Sequence, residues 1–454
     1  MTSRIVLLEE HVAQLRRYLF DPPDVEGAAF LLCGQAETLG VKKLVSHAVI
    51  PVAAEDYLRR ETDLLSIRSA ALVRAAKLAR NERLSVVFAH SHPCGWLGFS
   101  SQDDAEEDEL LPFLRARIPD RMHGTLVMTE DGFAGRVYAP HRSSAYVVVV
   151  GQRFRIHSGT SGDAPVPAVF DRQVRAFGPE LQRMLQLMNI GIVGLGGTGS
   201  PLAEQLCRLG VGQLTLFDGD VFDATNINRV YGATMDDVGK PKVEIAQRHL
   251  ERIGLATRLE PIPHPITDEA VARRITDCDL VFGCTDKQIP RAILMNIALK
   301  YGLPVIDVGV LIDSVEQHIR SVHGRVTTLM PGEACLYCRG RISPEAMRVE
   351  ALPPTERAKQ VREGYAPELD VPAPAVISFT TAVASFAVSE LLHRLTGFMG
   401  SERKSSEVLI AFDLTRVRTN RVAPRADCYC DDRANWGRGD ESPFLAMAWP
   451  TRTM

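Results

Sequence analysis

Little net charge remains on this chain: 52 lysines and arginines face 56 aspartates and glutamates over 454 residues, a formal balance of −4. That excludes a globally basic nucleic-acid binder, while leaving room for a local basic patch. Long apolar runs are missing too. A long uncharged stretch, Val371 to Ser389, holds Pro372, Pro374 and five serines and threonines, and reads as a core helix rather than a membrane span. The opening Met1-Thr-Ser-Arg-Ile lacks a charged-then-apolar pattern with a cleavage site, so no secretory leader is expected, and the expected compartment is the cytoplasm. Internal repeats and long low-complexity segments are absent. With 45% hydrophobic and 24% charged residues, disorder as the main state is excluded.

Nine cysteines, an odd number without a leader, argue against a disulfide framework and for reduced thiols. At roughly 150 residues per domain the length allows two or three domains. Ser158 to Ala168 is rich in small residues and proline and reads as a linker. The expected division is residues 1–155, a linker at 156–168, a second domain at 169–432 and a loose tail at 433–454.

In the first part, strands are expected at Ala28–Cys33 and Leu84–Ala89, helices at Thr62–Arg80 and Gln102–Ala116, and a hairpin from Thr125–Thr129 and Gly135–Tyr138. That mixture suggests a small α/β sandwich. The second part alternates: strands at Asn189–Val193, Gln213–Phe217, Leu280–Cys284 and Pro304–Val308, helices at Ser200–Leu209, Pro241–Ile253 and Ile289–Tyr301. This rhythm predicts an α/β, doubly wound, mostly parallel sheet.

His90-Ser91-His92-Pro93 is followed by six residues, Ser100, two residues and Asp103. Alternation puts both imidazoles on one side of a strand end, and Asp103 opens the next helix. Two imidazoles and a carboxylate leave a fourth tetrahedral position for water, the layout of catalytic zinc. Glu26, just before the first strand, is the candidate to take the water's proton. The bland alternatives are surface histidines and a helix-capping box from Ser100 with Asp103, or Ser101 with Asp104. The whole string resembles the JAMM/MPN metalloprotease family, over roughly residues 1–150. The resemblance implies catalytic zinc on His90, His92 and Asp103, oxyanion stabilisation by Ser100, general acid/base work by Glu26, and cleavage of peptide or isopeptide bonds after ubiquitin-like tails.

Gly194-Leu-Gly-Gly-Thr-Gly199 follows a strand and opens a helix, so Gly194, Gly196, Gly197 and Gly199 let phosphates approach the backbone at a helix N-terminus. Asp218 ends the next strand, suited to a ribose hydroxyl, and Asp220 lies beside it. Alone this reads as a nicotinamide dinucleotide site. Four features pull away from that: Arg172-Gln173 ahead of the fold, Thr225-Asn-Ile-Asn-Arg229, Gly239-Lys-Pro-Lys242, and Cys284-Thr-Asp286. Cationic side chains with an acid suit a triphosphate and Mg²⁺ better. For single residues the alternatives are a solvated charge or, for Asp286, a helix N-cap. The strings together resemble the ThiF/MoeB family of ubiquitin-activating-like adenylyltransferases, over about residues 168–430. That resemblance implies ATP, with Asp218 on the ribose, Asn226, Arg229 and Lys242 on phosphates, Asp286 on Mg²⁺, and Arg172 lent by the partner subunit of a homodimer. Thr225 stands where the family often has serine.

Cys335-Leu-Tyr-Cys338 and Cys428-Tyr-Cys430 can together make a thiolate zinc site. Relatives often carry two CxxC pairs; here the second is one residue shorter. The alternative is two ordinary thiol pairs. Cys33, Cys207, Cys278 and Cys284 read as core. Cys94, near the first zinc site, has no expected ligand role. No cysteine lies between Cys338 and Val371, where thioester- or persulfide-forming relatives place theirs, which implies passage of an adenylate to a thiol on a separate conjugating or sulfurtransferase protein.

The expected function is therefore double: a zinc peptidase that trims or deconjugates a ubiquitin-like protein, and an ATP-dependent enzyme that adenylates its C-terminal glycine. This suits tagging by a bacterial ubiquitin-like modifier, including antiphage defence. The alternatives are sulfur-carrier activation for cysteine, thiamine or another sulfur metabolite, and a catalytically degenerate binding scaffold. Neither nucleic acid nor membrane is an expected partner.

Overall fold

The strand Ala28–Thr38 is buried on both faces. Ala29, Leu31 and Cys33 join a core with Leu15 and Leu19 of the helix Glu9–Leu19, while Ala28, Phe30 and Leu32 join a second core with Ala71, Ala75 and Leu114. Side chains alternate across a strand, so two-sided burial produces an unbroken apolar run. The computed structural model describes residues 2–158, 165–363, 374–400, 403 and 405–449. Parts of the linker (159–164), of the uncharged run (371–373) and of the tail (450–454) lie outside the described residues.

The described residues form two units. In the first, seven strands close on themselves in the order Thr2–Leu8, Val41–Pro51, Ala28–Thr38, Ser85–Ser91, His123–Met128, Phe133–Tyr138 and Arg142–Val150, the last pairing back to the first. Thr2–Leu8 runs parallel to both neighbours, and Ser85–Ser91 runs parallel to His123–Met128. The expected sandwich is thus a closed mixed sheet, with the helix Glu9–Leu19 packed against one face and the helices Ser69–Glu82 and Ser101–Arg117 against the other.

The expected helix at Thr62–Arg80 begins only at Ser69 and runs to Glu82. Leu65–Ile67 instead pairs with Tyr57–Arg60, which buries Leu65 in the second core. Tertiary burial here outweighs helix propensity. Arg433–Ala446 belongs to this first unit, which differs from the expected loose tail. Its Trp436, Phe444 and Leu445 are buried, and the Gly34 N–H donates to the Gly437 carbonyl at 3.0 Å. Gly437 (φ +63°) has no room for a side chain, since a Cβ would lie 2.3 Å from the Ser46 carbonyl oxygen.

In the second unit the strand order is Arg258–Ile262, Gln213–Phe217, Asn189–Val193, Leu280–Gly283, Val305–Val315, His318–Leu329, Glu407–Ala411 and Arg416–Asn420. The first five are parallel and the last three pairings antiparallel, so the sheet is mixed. The sequence rhythm ended at Val308; the strand continues to Val315 and folds back as a hairpin. The helix Ile377–Thr396 buries Val383, Ala387 and Leu391. No described helix is long and apolar enough to cross a membrane.

Candidate functional site

The first unit carries a metal-type centre. Ser85–Ser91 delivers His90 and His92 to one side, and Ser91 between them turns inward. The Ser91 hydroxyl donates to the Leu19 carbonyl at 2.9 Å and accepts the Gly27 N–H at 2.9 Å. Gly27 has to be glycine, because a Cβ would meet the Leu19 oxygen at 2.4 Å. That tether sets Glu26 beside the histidines.

His90 Nε2 lies 3.1 Å from His92 Nε2 and 3.0 Å from Asp103 Oδ1, and Glu26 Oε1 lies 3.8 Å from His92 Nε2. Ligand atoms of His90, His92 and Asp103 all fall within 4.8 Å of one another. Donors bound to zinc at about 2.1 Å would be separated by about 3.4 Å, so the set fits one ion. The tautomer agrees. His92 Nδ1 lies 3.0 Å from the Trp96 carbonyl, which only accepts, so the proton belongs on Nδ1 and the Nε2 lone pair faces the centre.

The capping box and the ligand reading hold together. The Asp103 N–H donates to Ser100 Oγ at 3.0 Å and the Ser100 N–H to Asp103 Oδ2 at 2.6 Å, while Oδ1 faces His90. Burial would raise the Asp103 carboxyl, but His90 and the Ser100 donors outweigh it and hold it below the usual carboxylate range. Burial raises the Glu26 carboxyl to about 7, against the pull of His90 and with the push of Asp103.

The second unit gathers its groups at one sheet edge. Val193 is level with Phe217 on one side and Gly283 on the other, so Gly194, Asp218 and Cys284 leave three neighbouring parallel strands together. Chain order reverses between Asn189–Val193 and Leu280–Gly283, the position where open α/β sheets bind ligands. Gly194 has φ +91°, and a Cβ would lie 2.8 Å from the Cys284 oxygen; one on Gly199 would lie 1.8 Å from the Gly194 oxygen. Gly196 faces open space, and Gly197 lies under the aliphatic stem of Arg229.

Asp218 Oδ2 accepts the Leu195 N–H at 2.7 Å and Oδ1 the Asp220 N–H at 2.8 Å, which fixes the carboxylate against the glycine loop. Burial raises its pKa, opposed by Lys242 and these donors. Lys242 Nζ lies 2.8 Å from Asp220 Oδ2. Arg229 donates to the Thr225 carbonyl at 2.7 Å, and the Asn226 carbonyl accepts the Arg229 N–H at 3.0 Å. Arg172 and Asp286 are exposed, with no side-chain partner among the described residues. Arg172 lies on the short helix Asp171–Phe177, and Asp286 in the loop after Leu280–Gly283.

The four thiols converge. Cys335 and Cys428 sulfurs are 3.6 Å apart, as are those of Cys338 and Cys430, and all four lie within 4.8 Å. A disulfide needs about 2.05 Å, whereas thiolates on zinc at about 2.3 Å sit about 3.8 Å apart. The cluster therefore fits a structural zinc. Cys33, Cys207 and Cys278 are buried as expected; Cys284 is only half-buried, because it has left its strand, and Cys94 is exposed.

Sequence reasoning missed Gly27 and Ser91 as positioners, Trp96 against His92, and Glu350. Glu350 accepts the Gln288 and Ile289 N–H groups at 2.7 and 3.3 Å, and so caps the helix Gln288–Tyr301 beside Asp286. Only the exposed tryptophan three residues past a histidine-proline pair could have been flagged.

The profile of the ThiF family matches residues 170–431, more than half of the chain. The chain is 30% identical over 176 residues to the SAMP-activating enzyme E1 of Haloferax volcanii, covering 39% of this chain and 61% of that one. It is 32% identical over 180 residues to the molybdopterin-synthase adenylyltransferase of Escherichia coli, covering 39% and 69%. It is 28% identical over 278 residues to the sulfur carrier protein ThiS adenylyltransferase of Bacillus subtilis, covering 61% and 72%. The match thus spans less than two thirds of the archaeal enzyme and somewhat more of the two bacterial ones.

Proposed function

The chain belongs to the ThiF family, and from that premise we propose that residues 170–431 adenylate the C-terminal glycine carboxylate of a ubiquitin-like or sulfur-carrier protein in the cytoplasm. The observation that carries the reading is the meeting of the glycine loop, Asp218 and the Asp286 loop at the reversal point of the sheet. The names of the relatives support the substrate class. A carboxylate oxygen attacks the α-phosphorus of ATP, the bond from that phosphorus to the α,β-bridging oxygen breaks, and acyl-adenylate and pyrophosphate form. Gly196 lets phosphate reach the backbone, and Asp218 keeps lone pairs for a ribose hydroxyl. Arg229, Asn226 and Lys242 meet phosphate oxygens, with Lys242 exchanging Asp220 for them. Arg172 of a second subunit completes the charge in a homodimer. A magnesium ion on Asp286 would neutralise charge on the phosphates.

ATP–pyrophosphate exchange tests this. It should require a small partner ending in glycine and fall to background in Asp286→Ala. Exchange that persists in the variant removes the magnesium assignment; no exchange with any such partner removes the reading.

The convergence of His90, His92 and Asp103 favours a second activity on the same chain, hydrolysis of the amide that follows a ubiquitin-like tail. Zinc there would supply Lewis acidity toward the carbonyl and the attacking water. Glu26, raised to about 7, takes a proton from water at neutral pH and returns it to the departing amine as the C–N bond breaks. The Ser100 hydroxyl accepts the Asp103 N–H, which leaves its own proton for the oxyanion. Both activities on one tail suit tagging by a bacterial ubiquitin-like modifier, including antiphage defence, with transfer to a thiol on a separate protein; sulfur-carrier activation is the alternative. Tail removal should stop in Glu26→Gln and survive in Asp286→Ala. Wild-type protein that cleaves no extended or conjugated partner would instead support a binding scaffold for this unit.

A further inference from the structure

In the second unit one buried acid is shared by two arginines. Asp307, on the strand Val305–Val315, is 1% exposed. Its Oδ2 lies 2.7 Å from Arg325 Nη1 and its Oδ1 3.3 Å from Arg291 Nε. Neither contact has the alignment of a hydrogen bond: both Asp307 oxygens and Arg291 Nε lack such a partner among the described residues. Beyond Asp307, Arg325 meets only the Thr327 hydroxyl at 3.2 Å, and Arg291 meets no other acceptor among the described residues. Glu407, the next acid across the sheet, is already held by Arg339 and Arg341 at 3.4 Å each. One positive charge is therefore left over in a nearly closed place. Its open side is Gly309, where a Cβ would lie 3.1 Å from Arg325 Nη2 and 3.5 Å from Arg291 Nη2.

This place adjoins the nucleotide edge. Gly283 is level with Asp307, and Cys284-Thr285-Asp286 follows it. The Cys284 thiol, raised by burial, is raised further by Asp307 and lowered by Arg291, so both charges lie against that strand exit. In strand order Asp218 comes first, then the glycine loop, the Asp286 loop and Asp307. Neighbouring strands are about 4.8 Å apart, which sets the Asp307 strand roughly 10 Å from the one that carries the glycine loop.

We propose that Arg291 and Arg325 bind the C-terminal carboxylate of the glycine-ended partner in front of Gly309, and so select a free carboxylate over an amide or an extended chain. The inference rests on the adenylation proposed above and names the residues that hold its nucleophile. A planar carboxylate matches guanidinium N–H groups. Asp307 fixes both side chains before the partner arrives, yet neutralises only one of them. A methyl group at position 309 would stand against both Nη2 atoms. Arg229 and Lys242, the cations assigned to phosphate, belong to the segment after Gln213–Phe217, on the far side of the glycine loop in strand order. That leaves this pair for the attacking group.

Calorimetry on the full chain without nucleotide tests the site, with acetyl-Gly-Gly and its C-terminal amide as probes. The acid should bind about tenfold more tightly, as expected for a charge-assisted pair. The preference should disappear in Arg325→Gln. Because that change leaves buried Asp307 short of a partner, which costs folding stability, Gly309→Ala is the second variant. It keeps every charge, so it should unfold near the wild-type temperature and still lose most of the preference. Equal binding of acid and amide, no binding of either, or a preference that Gly309→Ala leaves intact overturns the proposal. Inorganic pyrophosphate separates the other source of an anion: it should bind wild type and Gly309→Ala alike, and a matching loss overturns the proposal in favour of nucleotide phosphate. In ATP–pyrophosphate exchange, Gly309→Ala should raise the KM of the glycine-ended partner and leave that of ATP unchanged; the reverse also overturns it. Exchange without any preference for the acid removes this site alone. A preference that Gly309→Ala abolishes, in a chain that shows no exchange with any glycine-ended partner, removes the adenylation reading and leaves the carboxylate site standing.

Discussion

Asp103 Oδ1 lies 3.0 Å from His90 Nε2 while the other oxygen of the same carboxylate accepts the Ser100 N–H. One side chain thus closes a helix N-terminus and faces a metal-type centre, and two variants separate the roles. Asparagine keeps an oxygen for the cap, whereas alanine loses it at a cost of about 1 kcal/mol. Metal-free Asp103→Asn should therefore unfold close to wild type, and Asp103→Ala measurably lower. Both should lose zinc from the His90–His92 centre. Thermal unfolding with metal analysis checks this; a stable alanine variant that keeps its zinc would remove both roles.

The thiolate cluster is a separate matter. Cys430 is buried and Cys335 nearly so, and the pairs come from segments 90 residues apart in sequence. Metal bound by folded thiolates adds its binding energy to folding. Wild type should hold two zinc ions per chain. Cys430→Ser should hold one and unfold at a lower temperature, while His90→Ala with His92→Ala should also hold one but keep the unfolding temperature of the second unit.

Local patterns were readable and tertiary ones were not. The glycine loop, Asp218 and the His90–Asp103 string are short segments whose chemistry depends on spacing within one loop or turn, and the strands Asn189–Val193 and Gln213–Phe217 begin and end where their apolar runs do. Gly27 is glycine because of the Leu19 carbonyl, a neighbour only in space. Glu350 caps a helix that starts 62 residues earlier. The hairpin after Val308 exposes much of its length, so its apolar pattern is weak, and Leu65 looks helical until its strand partner is known.

Asp218 makes a sharper prediction about nucleotide. Its two oxygens satisfy the N–H groups of Leu195 and Asp220. In Asp218→Asn the amide has only one acceptor oxygen, so one buried donor loses its partner at about 1–3 kcal/mol. The glycine loop should loosen, with the KM for ATP in pyrophosphate exchange rising at least tenfold and the KM for the carrier protein changing little. A larger effect on the carrier would place Asp218 elsewhere in the reaction.

Acid should weaken the first unit through two histidines. Burial lowers both His11 and His123 to about 4; the positive charges of His47 and Arg433 add to the effect on His11. His123 Nδ1 accepts the Val86 N–H at 3.2 Å and Nε2 faces the Ile118 carbonyl at 3.3 Å, a geometry only the neutral ring satisfies. The unfolded chain binds these protons near pH 6.5 and the folded chain does not until about 4. Stability is thus lost as pH falls through that window, by up to about 3 kcal/mol for each ring. Urea unfolding between pH 7 and 4 should show the loss, and His123→Gln should flatten the slope; an unchanged slope would assign it to carboxylates alone.

Trp96 offers a direct view of the metal centre. Its indole stacks on His92 with centroids 5.4 Å apart and planes 10° apart, while its carbonyl accepts from His92 Nδ1. About half of the indole is exposed, and the chain has only two other tryptophans. A metal that withdraws charge from His92 Nε2 strengthens the Nδ1–H donor and polarises the ring under the indole. Adding Zn²⁺ to metal-free protein should therefore shift tryptophan emission, and Co²⁺ should quench it, at one equivalent beyond the thiolate site. Trp96→Phe should abolish the signal yet still bind metal, because the carbonyl that holds His92 belongs to the backbone. Trp96→Phe that loses the metal would mean that indole packing, rather than the carbonyl, orients His92. A signal that survives His90→Ala with His92→Ala would mean that the emission reports another site.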